Sequence, residues 1–220
     1  MGKLTHDRFW GSVIYVDDVS DFIYNHLVKG ISSKETLESK LSYERVLLSY
    51  GRKVKGYHAD NLRFNDSNFK GSCIKGGQKL TFFGVGAHHQ NGIVEAKNKI
   101  VCNGARTLLL HAKRKWPKVI STVLWPYASQ AKINGHNRLS LDNNGLTPLE
   151  KLSGTTEEIL PTDFHTWGCP VFILEAQNQS AGIGTPKWDP KSHAGIYLGH
   201  SPCHAGSVAL VLNLKTGLVS

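Results

Sequence analysis

Hydrophobic and polar positions change rhythm along this chain. The amino-terminal part reads as short apolar runs cut by polar turns. Residues 12–17 and 22–28 are rich in β-branched and aromatic side chains and predict two antiparallel strands joined by a turn at Asp18 to Ser20. Ser32-Ser33-Lys34-Glu35 has the form of a capping box and opens a predicted helix. Its apolar stripe reads Leu37, Leu41 and Leu48, with Val46 and Leu47 nearby, and Gly51 is placed to end it. Residues 53–59 predict a short strand with Asp60 at its end. Residues 65–77 predict a weaker helix, and residues 80–83 another short strand. A glycine-rich loop over 84–92 carries His88 and His89.

Helical periodicity then dominates. One long helix is predicted over about 93–115, stopped by Pro117. A further helix covers about 119–133, with Pro126 as a kink or a boundary. Residues 134–163 are polar and turn-rich, apart from a short helix expected after Thr147, with Pro148 at its first position. Beyond Trp167 three short apolar runs, 171–174, 194–198 and 208–213, are separated by Gly, Pro and Ser and suggest a small β-barrel. The order β-β-α-β-α-β-α is an α/β pattern with mixed strands. The expected limits are 1–133 for an α/β domain, 134–162 for a connecting segment and 163–220 for the β domain.

Composition narrows the class. The 220 residues are 40% hydrophobic and 20% charged and include five Trp, which suits a folded chain with a core. A net charge of +9 suits a polyanionic partner such as nucleic acid. Cys73, Cys102, Cys169 and Cys203 lie far apart without a C-x-x-C pair, so neither a zinc site nor a disulfide framework is expected. No apolar run is long enough to span a membrane, and residues 1–7 lack a signal sequence; an intracellular protein is expected.

Two carboxylates are the candidates for chemistry. Asp60 ends a predicted strand and Glu95 opens the long predicted helix. Acids at a strand end and a helix start can converge at one edge of a sheet. Such oxygens can hold a pair of Mg²⁺ ions, which activate an attacking hydroxyl and stabilise the leaving oxygen of a phosphodiester. The same residues suit a turn cap and a helix N-terminus, and on spacing alone that ordinary reading is favoured, since surface carboxylates are common.

The flanking residues point further. His58-Ala59-Asp60-Asn61 and Gln90-Asn91-Gly92-Ile93-Val94-Glu95-Ala96-Lys97-Asn98-Lys99 resemble the Asp-Asn pair and the Gln-Asn-Gly-x-x-Glu-x-Lys/Arg-Asn block of copia-type retrotransposon integrases. Asp17-Asp18-Val19-Ser20 is similar to that family's Asp-Asp-Phe-Ser turn. Leu124-Trp125-Pro126-Tyr127-Ala128, Thr147-Pro148-Leu149-Glu150 and Trp167-Gly168-Cys169 resemble its downstream markers, and residues 187–199 resemble the SH3-like domain that follows the core in these Gag-Pol type polyproteins. The cast is closest to copia-like elements of diatoms and similar algae.

The resemblance implies an RNase H-like mixed sheet with flanking helices and then a truncated SH3-like β-barrel. It implies DNA integration by metal-dependent strand transfer, in which a 3′ hydroxyl attacks a target phosphodiester. Asp60 and Glu95 map onto the second and third catalytic, metal-binding acids, with Mg²⁺ or Mn²⁺ as cofactor. Implied partners are element and target DNA and a further copy of the chain, with no membrane and no small-molecule substrate. The implied setting is the nucleus or a cytoplasmic virus-like particle.

This sequence departs from the family pattern where the first acid belongs. The strand carrying it is missing ahead of residue 12, and neither Asp7, Asp17 nor Asp18 occupies its place. Leu62 stands where the family often has Gly, and the family's zinc-binding His/Cys module is absent. An inactive integrase fragment is the leading expectation. The alternatives are an active enzyme using Asp7 or Asp17 as a substitute acid, and a non-catalytic nucleic-acid-binding or structural module. Lys97, Asn98, Lys99 and Arg106 on the long helix are the expected nucleic-acid contacts; a merely solvated helix face is the plainer reading of the same charges. His88 and His89 are expected to be bystanders.

Overall fold

A computed structural model describes residues 5, 7–83, 92–156, 164–175, 178, 186–201, 204 and 208–220. The chain is mixed α/β, with small sheets and flanking helices. Contacts group it into two units, Met1–Gly104 with Lys132–Glu157, and Ala105–Ala131 with Glu158–Ser220.

In the first unit β1 (Gly11–Val16) pairs antiparallel with β2 (Ile23–Val28), in register from Gly11 opposite Val28 to Val16 opposite Ile23. The turn between them is held by its own polar atoms. Asp17 accepts from the Ser20 backbone N–H at 2.8 Å and from the Ser20 hydroxyl at 2.6 Å, and the Asp21 N–H donates to the Asp17 carbonyl. Asp21 closes the turn at φ 64, a conformation that Asp tolerates better than most residues.

Helix α1 (Ser33–Ser49) is capped by Ser32, whose hydroxyl accepts from the Glu35 N–H. The reciprocal half of the expected capping box is not made. Glu35 reaches back past the cap to the Lys29 N–H at 2.8 Å. The helix ends at Tyr50, followed by Gly51 at φ 71, as its position suggested.

The buried face of α1 differs from the expected leucine stripe. Thr36, Ser39, Lys40, Tyr43 and Leu47 are buried, while Leu41 and Leu48 are 43% and 58% exposed. Partners on other elements are the reason. The Ser39 hydroxyl and Tyr15 OH share a 2.8 Å bond, Arg63 donates to the Thr36 hydroxyl, and Lys40 meets Ser72 and the Tyr57 ring besides Glu44 of its own helix. A buried polar group with a good partner is tolerated where an unpaired one is not.

β3 (Gly56–Ala59) and β4 (Lys79–Phe82) pair in parallel, which requires a crossover, and α2 (Ser67–Lys75) supplies it. Asp66 caps α2, accepting from the N–H groups of Asn68 and Phe69. The two strand pairs form separate two-stranded sheets among the described residues. Side chains bridge them, with Tyr15 meeting Tyr43, Tyr57 and Phe64 ring to ring, and Phe69 fully buried against Tyr57 and Phe64.

Helix α3 spans Gly92–Lys115, and α4 spans Trp125–Leu139 after a single 3₁₀ turn at Thr122–Leu124. Pro126 therefore sits in the first turn of α4, where its missing N–H is harmless, and marks a boundary rather than a kink. The helix runs past its expected end at 133 because its polar last turns have buried work. Asn137 accepts from the Ile23 N–H at 2.9 Å and donates to the Ile23 carbonyl at 2.8 Å, completing the start of β2. Asn137→Ala leaves both backbone groups unpaired, so a loss of about 2 kcal/mol is expected. Urea denaturation with an unchanged m-value would measure it; a shift within error would show that water replaces the amide. Helix α5 (Pro148–Ser153) carries the full capping box of Thr147 and Glu150, with Pro148 in its first turn.

In the second unit β5 (Pro170–Leu174), β6 (Ser192–His200) and β7 (Ala209–Asn213) form an antiparallel sheet with an irregularity between Tyr197 and Gly199. Its core gathers Ala112, Leu124, Ala128, Trp167, Ile196, Leu198 and Leu212. Among the described residues the sheet remains open at three strands. No described helix is long and apolar enough to cross a membrane.

Candidate metal and nucleic-acid site

Asp60 follows β3 directly and is exposed. Its Oδ1 accepts from the Leu62 N–H at 3.3 Å, a local turn contact. The Phe83 N–H reaches the Ala59 carbonyl, so β4 ends beside β3 and Asp60 lies at the carboxyl end of a parallel pair. In open α/β sheets that end is where ligands gather. Next to it His58 bonds Thr81 at 2.8 Å and packs edge-on against Phe83. Leu62 is 87% exposed, so its bulk stands in solvent and not in the core.

Glu95 is exposed in the first turn of α3, where the helix dipole favours a negative charge. Asn98 and Lys99 are exposed on the same turns, and the Asn98 carbonyl oxygen accepts from the Cys102 thiol at 3.4 Å. Arg106 is exposed and is grouped with the second unit. His88, His89, Gln90 and Asn91 lie outside the described residues. Among the described residues no group of three or more His, Cys, Asp or Glu is arranged to hold a metal ion. Two exposed carboxylates nevertheless have the hard oxygen donors that a divalent cation of the magnesium type takes, with water and phosphate completing its shell.

Lys97 has another engagement. Its ammonium pairs with the Asp21 carboxylate, and the same carboxylate lies 3.3 Å from His136 Nε2. His136 Nε2 is also 3.2 Å from the Asp21 carbonyl, and Nδ1 meets the Ser140 hydroxyl. Burial pushes the His136 imidazole below its ordinary value, against the upward pull of the Asp21 carbonyl and carboxylate. Sequence reasoning passed over Asp21 and His136. Their pairing depends on a turn at positive φ and on a helix running past residue 133, and neither shows in local hydropathy.

Asp17, one of two candidates for a substitute first acid, has its Oδ2 committed to Ser20. Asp7 is exposed in a turn ahead of β1.

The chain is similar to two solved structures of the HTLV-2 integrase catalytic core domain in complex with magnesium. The trimeric form is 22% identical over 63% of this chain and 82% of that one, with a TM-score of 0.49. The dimeric form is 21% identical over 64% and 83%, also with a TM-score of 0.49. No family model and no curated protein matches the chain.

Proposed function

We propose that this chain derives from the integrase region of a copia-type polyprotein, with an RNase H-like core followed by an SH3-like β domain. It retains nucleic-acid binding and two of three catalytic acids. One observation carries the reading: the block Gln90-Asn91-Gly92-x-x-Glu95-x-Lys97-Asn98 is complete, and its Glu95 stands in the first turn of a long helix, while Asp60 closes a parallel strand pair at its carboxyl end. Asp60 and Glu95 would hold Mg²⁺ or Mn²⁺, which when bound supplies charge stabilisation and an activated hydroxyl. Asn98 and Lys99 would meet the DNA backbone beside Glu95, and Arg106 would add a further phosphate contact. A second copy of the chain and a nuclear or virus-like-particle setting belong to the same proposal.

Strand transfer itself is expected to be lost from these 220 residues. Altering a group that merely orients a metal ligand costs about 10–100-fold, and within these 220 residues no acid matches the first position of the family pattern. The test is the purified chain with element-end DNA in Mg²⁺ or Mn²⁺. Duplex binding that weakens with salt, and no joined product, is the expected result. Lys99→Met should lower the salt slope by roughly 0.9. Robust joined product would overturn the loss of activity. No DNA binding at low salt would favour the alternative, a non-catalytic structural module.

A further inference from the structure

The Asp21–Lys97–His136 cluster joins three elements of the first unit: the turn between β1 and β2, the start of α3, and the end of α4. We propose that Asp21 and Lys97 form a positioning clamp that fixes the first turns of α3, and thereby the presentation of Glu95 and Lys99, so that Lys97 acts within the fold and not on a phosphate. The inference rests on the reading of Glu95 as a metal-binding acid, which its test can separate.

Helical spacing gives the geometry. Lys97 and Val101 lie four residues apart on α3; Lys97 is half-buried and Val101 is buried. This is the docked face, and Val101 packs with Ile23 and Ile133. Glu95 is two positions from Lys97, about 200° around the helix axis, and with Lys99 it falls on the exposed face. Holding Lys97 inward therefore holds Glu95 outward. The Lys97 side chain is 18% exposed and that of Asp21 37%, so this pair is better shielded than a surface ion pair.

The anchor is itself immobilised. Asp21 sits at φ 64 in a turn closed by Asp17 and Ser20, and its carbonyl is tied to His136, which is 7% exposed. A carboxylate on so constrained a turn loses little further freedom when it pairs. The adjoining Asn137 fixes Ile23 from the same helix end. The ion pair lies one turn before Val101 and so tethers the start of α3 at a second point.

Hydrogen exchange on the full chain tests the clamp directly. Asp21→Asn keeps a residue suited to positive φ, and Lys97→Met keeps the apolar stem. Each should speed exchange of the amides of residues 96–100 by about tenfold while the amides of α1 stay protected. Lys97→Arg should restore protection. Tb³⁺ luminescence gives the second readout: Asp21→Asn and Lys97→Met should weaken Tb³⁺ binding, and Glu95→Gln should abolish it without altering exchange. Unchanged exchange in both Asp21→Asn and Lys97→Met would overturn the clamp. So would tighter DNA binding by Asp21→Asn together with a lower salt slope in Lys97→Met, the signature of a direct phosphate contact. If the unaltered chain binds no Tb³⁺ but the exchange pattern appears, the metal-site reading fails and the clamp stands.

Discussion

Replacing Glu44 with alanine is expected to destabilise the first unit by roughly 3–5 kcal/mol, the range for breaking a buried ion pair from one side. Glu44 Oε1 accepts from Lys40 Nζ at 2.8 Å, Tyr57 OH at 2.8 Å and Gln78 Nε2 at 2.6 Å. Without it the Lys40 ammonium, on a side chain only 1% exposed, keeps the Ser72 hydroxyl and the Tyr57 ring. The Glu44 side chain is 24% exposed, so water enters on that side and the lower end of the range is expected. Lys40→Met should cost less, because the charge leaves with the side chain while Glu44 retains two neutral donors and access to solvent. Urea denaturation of both variants checks the order, and equal losses would refute it.

The same carboxylate gives a pH signature. Burial pushes the Glu44 carboxyl up, but hydrogen bonds from Lys40, Gln78 and Tyr57 together with the Lys40 charge outweigh it and hold it below its ordinary value. A depressed folded-state value means stability that is present above the unfolded value and lost as pH falls through the folded one. Glu44→Gln should therefore flatten the acid limb of the stability curve.

This network shows where sequence reading stops. Caps were legible at Ser32 and Thr147 because their chemistry is local, each bonding an N–H three residues on. The first two strands followed from their β-branched and aromatic side chains, whereas the parallel pairing of β3 with β4 did not show in the sequence. The buried face of α1 was not legible, because whether Lys40 is inside depends on Ser72 and Tyr57 arriving from α2 and β3 to enclose it with Glu44 of its own helix. Hydropathy favoured Leu41 and Leu48, which the structure leaves largely exposed. The same limit applies to the site. Asp60 and Glu95 were visible as members of motif blocks, and the structure puts them at a strand end and a helix start. Lys97 carried the same charge as Lys99 in sequence, yet it alone faces a carboxylate fixed by a turn elsewhere in the chain.

In the second unit the largest single effect is expected at Gly168. Its φ of 80 lies in the left-handed region, and a Cβ built there would stand 2.6 Å from the Ala112 Cβ. Neither neighbour can move cheaply. Ala112 is buried on α3, the Gly168 N–H donates to the Tyr197 carbonyl at 2.8 Å, and the Gly168 carbonyl accepts from Trp116 Nε1 at 2.9 Å. The adjacent Trp167 is buried and donates its own indole N–H to Leu198 at 3.1 Å. The φ penalty for an L-residue is roughly 1–2 kcal/mol, and overpacking adds about 1–3 kcal/mol, so Gly168→Ala should cost about 2–5 kcal/mol. Trp167 fluorescence during denaturation reports on this core. Ala112→Gly in the same chain removes the opposing methyl. It should recover the packing part of the loss but not the φ part, less about 1 kcal/mol for glycine inside a helix. Full recovery would mean the backbone strain is absent, and no recovery would mean the close approach to Ala112 is not what excludes a side chain at 168.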